Sequence, residues 1–159
     1  MDDYLKELGH LGLIARLKRL SDSMLYSIRE VYKLKGFEIE PNWHFVFLAL
    51  KKHRKRTMTE LSTSFGLSQP ATVKIINKMK EKGYIDMAGD QSDNRKKQLQ
   101  LSEKARKELP HFEKVWNAGK ASISKMIMED VAFLSKLEEM ESLLKDQNFK
   151  ERILNQLEK

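Results

Sequence analysis

Apolar positions along this chain first recur with a helical rhythm. From about Leu11 to Leu34, the residues Leu13, Leu17, Leu20, Met24, Ile28, Val31 and Leu34 return at steps of three and four. That spacing predicts one amphipathic helix. Gly36 supplies a stop, and Pro41, whose fixed φ suits a first helical turn, opens a second helix. Trp43, Phe45, Val46, Phe47, Leu48 and Leu50 make that second helix apolar around most of its circumference, which predicts burial on several sides.

A basic stretch, Lys51-Lys52-His53-Arg54-Lys55-Arg56, follows. Thr57 and Glu60 then stand at the spacing of a capping box. Met58, Leu61 and Phe65 line a short helix that Gly66 ends, and Ser68 caps the next, tolerating Pro70 in the first turn. The expected buried face of that next helix is Val73, Ile75, Ile76 and Met79, with Gly83 as its stop. The rhythm then becomes extended. Tyr84–Met87 and Lys97–Leu101 read as strands joined by the turn formers Gly89–Asn94, a projecting hairpin. Ser102 opens a last long helical region through Val115, Ile123, Val131, Leu137, Leu144 and Leu157, in which Pro110 predicts a kink or an interruption. The fold class is mainly α with a small β-hairpin.

Composition narrows the classes. A chain of 159 residues suits one compact domain, and no apolar run approaches the ~20 residues of a membrane span. The acidic start Met1-Asp2-Asp3-Tyr4 lacks the pattern of a signal peptide, and with no cysteine there is no disulfide or thiolate metal site. The expectation is a cytoplasmic protein without membrane contact. His10, His44, His53 and His111 have no ligand-like spacing, so no metal or cofactor is expected. Neither a nucleophile elbow, a phosphate loop nor a dinucleotide fingerprint occurs, and the chain does not read as an enzyme.

Charge is unevenly spread. Lys51–Lys107 holds 15 Lys/Arg against 6 Asp/Glu, whereas the remainder holds 15 against 17. A basic middle between near-neutral ends suits a polyanionic partner, although a solvated lysine-rich surface would look the same by charge alone. The two short helices, about Met58–Phe65 and Gln69–Lys82 around the turn Gly66-Leu67, form a helix-turn-helix unit. The second offers Gln69, Thr72, Lys74, Asn77 and Lys78 opposite an aliphatic side, as a major-groove reader would. Lys78, Lys80 and Lys82 also suit that helix's negative C-terminal end. Arg95, Lys96 and Lys97 stand beside the projecting loop, where a guanidinium fits the minor groove, and Asp93 is placed to order Arg95.

Thr59-Glu60-Leu61, Leu67-Ser68-Gln69-Pro70-Ala71-Thr72-Val73, Lys80-Glu81-Lys82-Gly83-Tyr84-Ile85, Asp93-Asn94-Arg95-Lys96-Lys97 and Leu101-Ser102-Glu103-Lys104-Ala105 occur in this order. Together they resemble the MarR family of winged helix-turn-helix transcriptional regulators. Arg16–Ser21 and Pro41-Asn42-Trp43 look like the MarR-type domains sometimes fused to an acetyltransferase, for which this chain leaves no room. The resemblance implies a single domain over residues 1–159, with DNA binding in 51–101 and dimerising helices in 1–50 and 102–159. The implied regulator is a homodimeric repressor on a pseudo-palindromic site in double-stranded DNA. Ser68, Gln69, Thr72 and Lys74 are then expected at bases or phosphates and Arg95 in the minor groove, with Thr57, Thr59 and Pro70 beside them. A small-molecule effector between the dimerising helices and the winged domain is first sought at Arg16, Trp43, His44 and Phe47; aromatics on a crowded helix more often pack a core. A winged-helix protein-interaction module and a nonspecific architectural DNA binder are the competing readings.

Overall fold

The computed structural model describes residues 3–88 and 98–158. Asp93, Arg95, Lys96 and Lys97 therefore lie outside the described residues. The chain divides into two compact units, Met1–Glu113 and Lys114–Lys159.

In the first unit a short helix α1 (Tyr4–Glu7) and a 3₁₀ turn (Gly9–Gly12) lead into the long helix α2 (Leu13–Leu34). A second 3₁₀ turn, Pro41–Trp43, starts α3 (His44–His53). Val46, Phe47 and Leu50 of α3 are buried, but Leu48 remains exposed, so the burial of this helix is narrower than its composition suggested. The strand β1 (Arg56–Thr57) follows, then α4 (Met58–Phe65), α5 (Gln69–Glu81), β2 (Ile85–Ala88) and β3 (Gln98–Leu101). β2 and β3 pair antiparallel in the register Ile85↔Leu101 and Met87↔Leu99, the stem of the expected hairpin.

β1 was not foreseen. It pairs with β3, Arg56 opposite Leu99 and Thr57 opposite Gln98, making a three-stranded sheet of order β1-β3-β2. Two residues carry no alternation, and their ladder partners lie far along the chain, so only the tertiary fold creates this strand.

The core of this unit draws on nearly every element. Tyr32, Trp43, Phe47, Leu61, Ile76, Met79, Tyr84, Leu99, Leu109 and Phe112 are all buried. Phe47, Tyr84 and Phe112 pack edge-to-face, their ring centroids 5.4–6.0 Å apart. Such offset arrangements suit the aromatic quadrupole.

The third long region differs from expectation. α6 (Glu103–Met126) continues through Pro110 without interruption. One proline removes a single backbone donor, and the flanking Leu109 and Phe112 are held in the core. The breaks come later. Met128 and Glu129 adopt positive φ, Asp130 caps α7 (Val131–Asp146) and Asn148 caps α8 (Phe149–Leu157). Each cap is a side-chain oxygen accepting from a helix N–H, at 2.8 Å for Ala132 and 3.1 Å for Glu151. Among the described residues of the second unit none is buried, and Val131, Leu134, Leu137, Phe149 and Ile153 are exposed.

Candidate nucleic-acid interface

The helix pair is built by caps and anchored by a few apolar side chains. The Thr57 hydroxyl accepts from Glu60 N at 3.2 Å, and a Glu60 carboxylate oxygen accepts from Thr57 N at 2.7 Å, completing the capping box. These bonds hold the Glu60 carboxyl below its ordinary pKa, the Thr57 N–H first, then its hydroxyl, then Arg56. Thr57 is thereby committed to structure, with its hydroxyl also donating to Glu60. Gly66 closes α4 in the left-handed region, φ 62°, and lets Leu67 N bond to Ser62 O at 3.1 Å. This places α5 against α4 after the three residues Gly66, Leu67 and Ser68.

Ser68 caps α5, its hydroxyl accepting from Ala71 N. The helix presents Gln69, Pro70, Lys74, Asn77 and Lys78 to solvent. Gln69 reaches back to Thr59, amide nitrogen to hydroxyl 3.5 Å, so these two exposed groups adjoin across the helix pair.

Two expectations for α5 exchange places. Thr72, expected at the DNA, is 1% exposed and its hydroxyl donates to Ser68 O at 3.2 Å. Val73, expected in the core, is 38% exposed, and Ile75 is half-buried. The physical reason is helical phase. Thr72, Ile76 and Met79 lie at i, i+4 and i+7 on one stripe, and a threonine joins such a stripe cheaply because its hydroxyl bonds the carbonyl one turn back.

The far end of α5 is fixed from α6. Gly83 turns the chain with φ 74°, and the Ser102 hydroxyl donates to Gly83 O at 2.6 Å while accepting from Ala105 N at 3.0 Å. Lys104 donates to Lys82 O at 2.9 Å and lies 4.3 Å from the Tyr84 ring centre, satisfying a terminal carbonyl of the helix. The Tyr84 hydroxyl donates to Glu108, and burial followed by that carboxylate pushes its pKa well up.

The basic stretch contributes more than the sequence assigned to it. Lys51 pairs with Glu113 and Arg56 with Glu60, whereas Arg54 and Lys55 are exposed without an ion-pair partner among the described residues. Arg54 has φ 58°, turning the chain between α3 and β1. His53 is held below its usual pKa by desolvation and then by Arg56 and Lys52.

The residues sought as an effector site stand in different surroundings. Trp43 and Phe47 are core residues against Tyr84. His44 is exposed with Nδ1 2.8 Å from Pro41 O, and Arg16 is exposed on α2. Trp43 also borders a cleft of about 460 Å³ between α2 and α5, with Arg29, Tyr32, Phe37, Lys78 and Lys82. Among the described residues no group of three acidic, histidine or cysteine side chains is placed to hold a metal, and no helix is long and apolar enough to cross a membrane.

The MarR family model matches residues 37–96. Solved structures share the fold over most of the chain. A MarR protein from Peptoclostridium difficile is 24% identical, with TM-score 0.64, covering 87% of this chain and 90% of its own. MepR of S. aureus, solved as a DNA complex, is 17% identical with TM-score 0.71, covering 82% and 96%. The transcriptional repressor CouR, bound to a 23-mer DNA duplex, is 24% identical with TM-score 0.68, covering 84% and 96%. The winged-helix segment of this chain, residues 37–96, thus matches the MarR family model, within a fold that MarR-type structures share over most of the chain.

Proposed function

We propose that this protein is a sequence-specific DNA-binding transcriptional regulator that represses as a homodimer on a pseudo-palindromic site. One observation carries the reading. α5, anchored through Ile76 and Met79, turns Gln69, Lys74, Asn77 and Lys78 outward within the most basic segment of the chain. Ser68, Thr59 and Pro70 flank that row, and in this reading Arg95, Lys96 and Lys97 supply the wing contact with Asp93 ordering it. Residues 51–101 then bind DNA, and 1–50 with 102–159 dimerise. Support for pairing comes from the exposed apolar residues of α2 (Leu13, Ile14, Leu17 and Leu20) and, separately, those of α7 and α8. The DNA-bound states of MepR and CouR favour the same reading. The protein performs no covalent chemistry in this reading and works where the DNA is, in the cytoplasm. A small effector would occupy the cleft bordered by Trp43 and act by binding one spacing of the paired winged segments better than another.

The test is selection from a pool of duplex DNA with a randomised centre, followed by binding titrations over salt. A regulator enriches one motif and loses affinity steeply as salt rises. A nonspecific binder shows the salt dependence without enrichment, and a protein-interaction module shows neither. Arg95→Ala is expected to weaken binding to the enriched duplex; unchanged affinity in a folded protein removes the wing from the interface. Sedimentation equilibrium tests the pairing, and a monomer at micromolar concentration refutes it.

A further inference from the structure

Val73 stands out on the exposed side of α5. Its neighbours one turn either way are Gln69 and Asn77, and Lys74 lies beside it, all exposed and all hydrogen-bonding groups. The valine is 38% exposed, while the core stripe of the helix passes through Thr72, Ile76 and Met79 instead. Its side chain stays open to solvent over more than a third of its surface, and a β-branched side chain is a poorer helix former than alanine. What it offers is two methyl groups held in a nearly fixed position, since valine in a helix strongly prefers one χ1 rotamer.

In the major groove, one base carries an apolar group on its edge: the C5-methyl of thymine. Amides and ammonium groups recognise base-edge donors and acceptors, but a methyl is recognised by apolar contact. We propose that Val73 reads a thymine methyl, between hydrogen-bonding contacts made by Gln69 and Asn77. The inference rests on the DNA-binding reading above and assigns one position of the site as T·A.

The experiment uses the full chain and the duplex enriched by selection from the randomised pool. Each thymidine of that duplex is replaced singly by deoxyuridine, which removes the methyl and keeps the base pair. Burying one methyl corresponds to about fourfold in affinity. The wild type is expected to lose about that factor at one or a symmetry-related pair of thymines. Val73→Ala is expected to bind the thymidine duplex more weakly and to lose discrimination at those same positions. Its fold is checked by circular dichroism, and alanine at this exposed helical site favours the helix. If no deoxyuridine substitution weakens wild-type binding, or if Val73→Ala keeps the full penalty, the methyl reading is overturned while DNA recognition stands. If no duplex is enriched at all, the underlying regulator reading falls and this one with it.

Discussion

Ser102→Ala tests how the end of the reader helix is held. The Ser102 hydroxyl makes two bonds, donating to Gly83 O at 2.6 Å and accepting from Ala105 N at 3.0 Å. Losing the second removes the cap of α6, which costs about 1 kcal/mol. Losing the first removes a hydrogen bond worth about 1 kcal/mol. Because Gly83 is an exposed residue, water is expected to replace the lost partner, and the larger desolvation cost of a stranded buried carbonyl is not added. The expected destabilisation is therefore about 2 kcal/mol. Trp43, 3% exposed and packed on Tyr84, reports unfolding of the first unit by fluorescence in urea once Trp116 is replaced by phenylalanine. Ser64→Ala serves as the control, since that exposed hydroxyl bonds the carbonyl one turn back, Glu60 O at 2.7 Å. Surface changes of that kind stay within about 0.5 kcal/mol. The reasoning fails if Ser102→Ala costs no more than the control, or if the slope of the urea transition changes and the two midpoints coincide.

Phe47→Ala is expected to cost about 3–5 kcal/mol in the same assay, as for a fully buried aromatic; a loss below about 1 kcal/mol would mean the residue is not held in the core. Gly66→Ala meets no atom within 4 Å, so its expected cost is the left-handed backbone alone, about 1–2 kcal/mol. An unchanged thermal midpoint would contradict that assignment. The capping box predicts a pH signature. The folded state lowers the Glu60 pKa, so its contribution is complete above the unfolded value of 4.5 and is lost as pH falls through the folded value. The stability difference between wild type and Glu60→Gln, followed by urea titration, should shrink on acidification from about pH 6 to about pH 3; a constant or growing difference would refute the cap's charge.

The sequence by itself determined the helix-turn-helix and its limits. Capping residues and glycine stops act over three or four neighbours, so Thr57, Glu60, Gly66, Ser68 and Gly83 could be assigned without knowing the fold. The hairpin stem was legible from its extended alternation, and the exposure of Gln69, Lys74, Asn77 and Lys78 from the helical period. What lay beyond local signals was decided by packing. β1 exists because β3 is beside it, and α6 passes through Pro110 because Leu109 and Phe112 are anchored. Thr72 and Val73 differ by one step of 100° around the helix, and both are compatible with either side by composition. The packing of α5 against α4 and β2, with Ile76 and Met79 buried, turned threonine inward and valine outward, so the chemistry offered by the reader helix is a tertiary property.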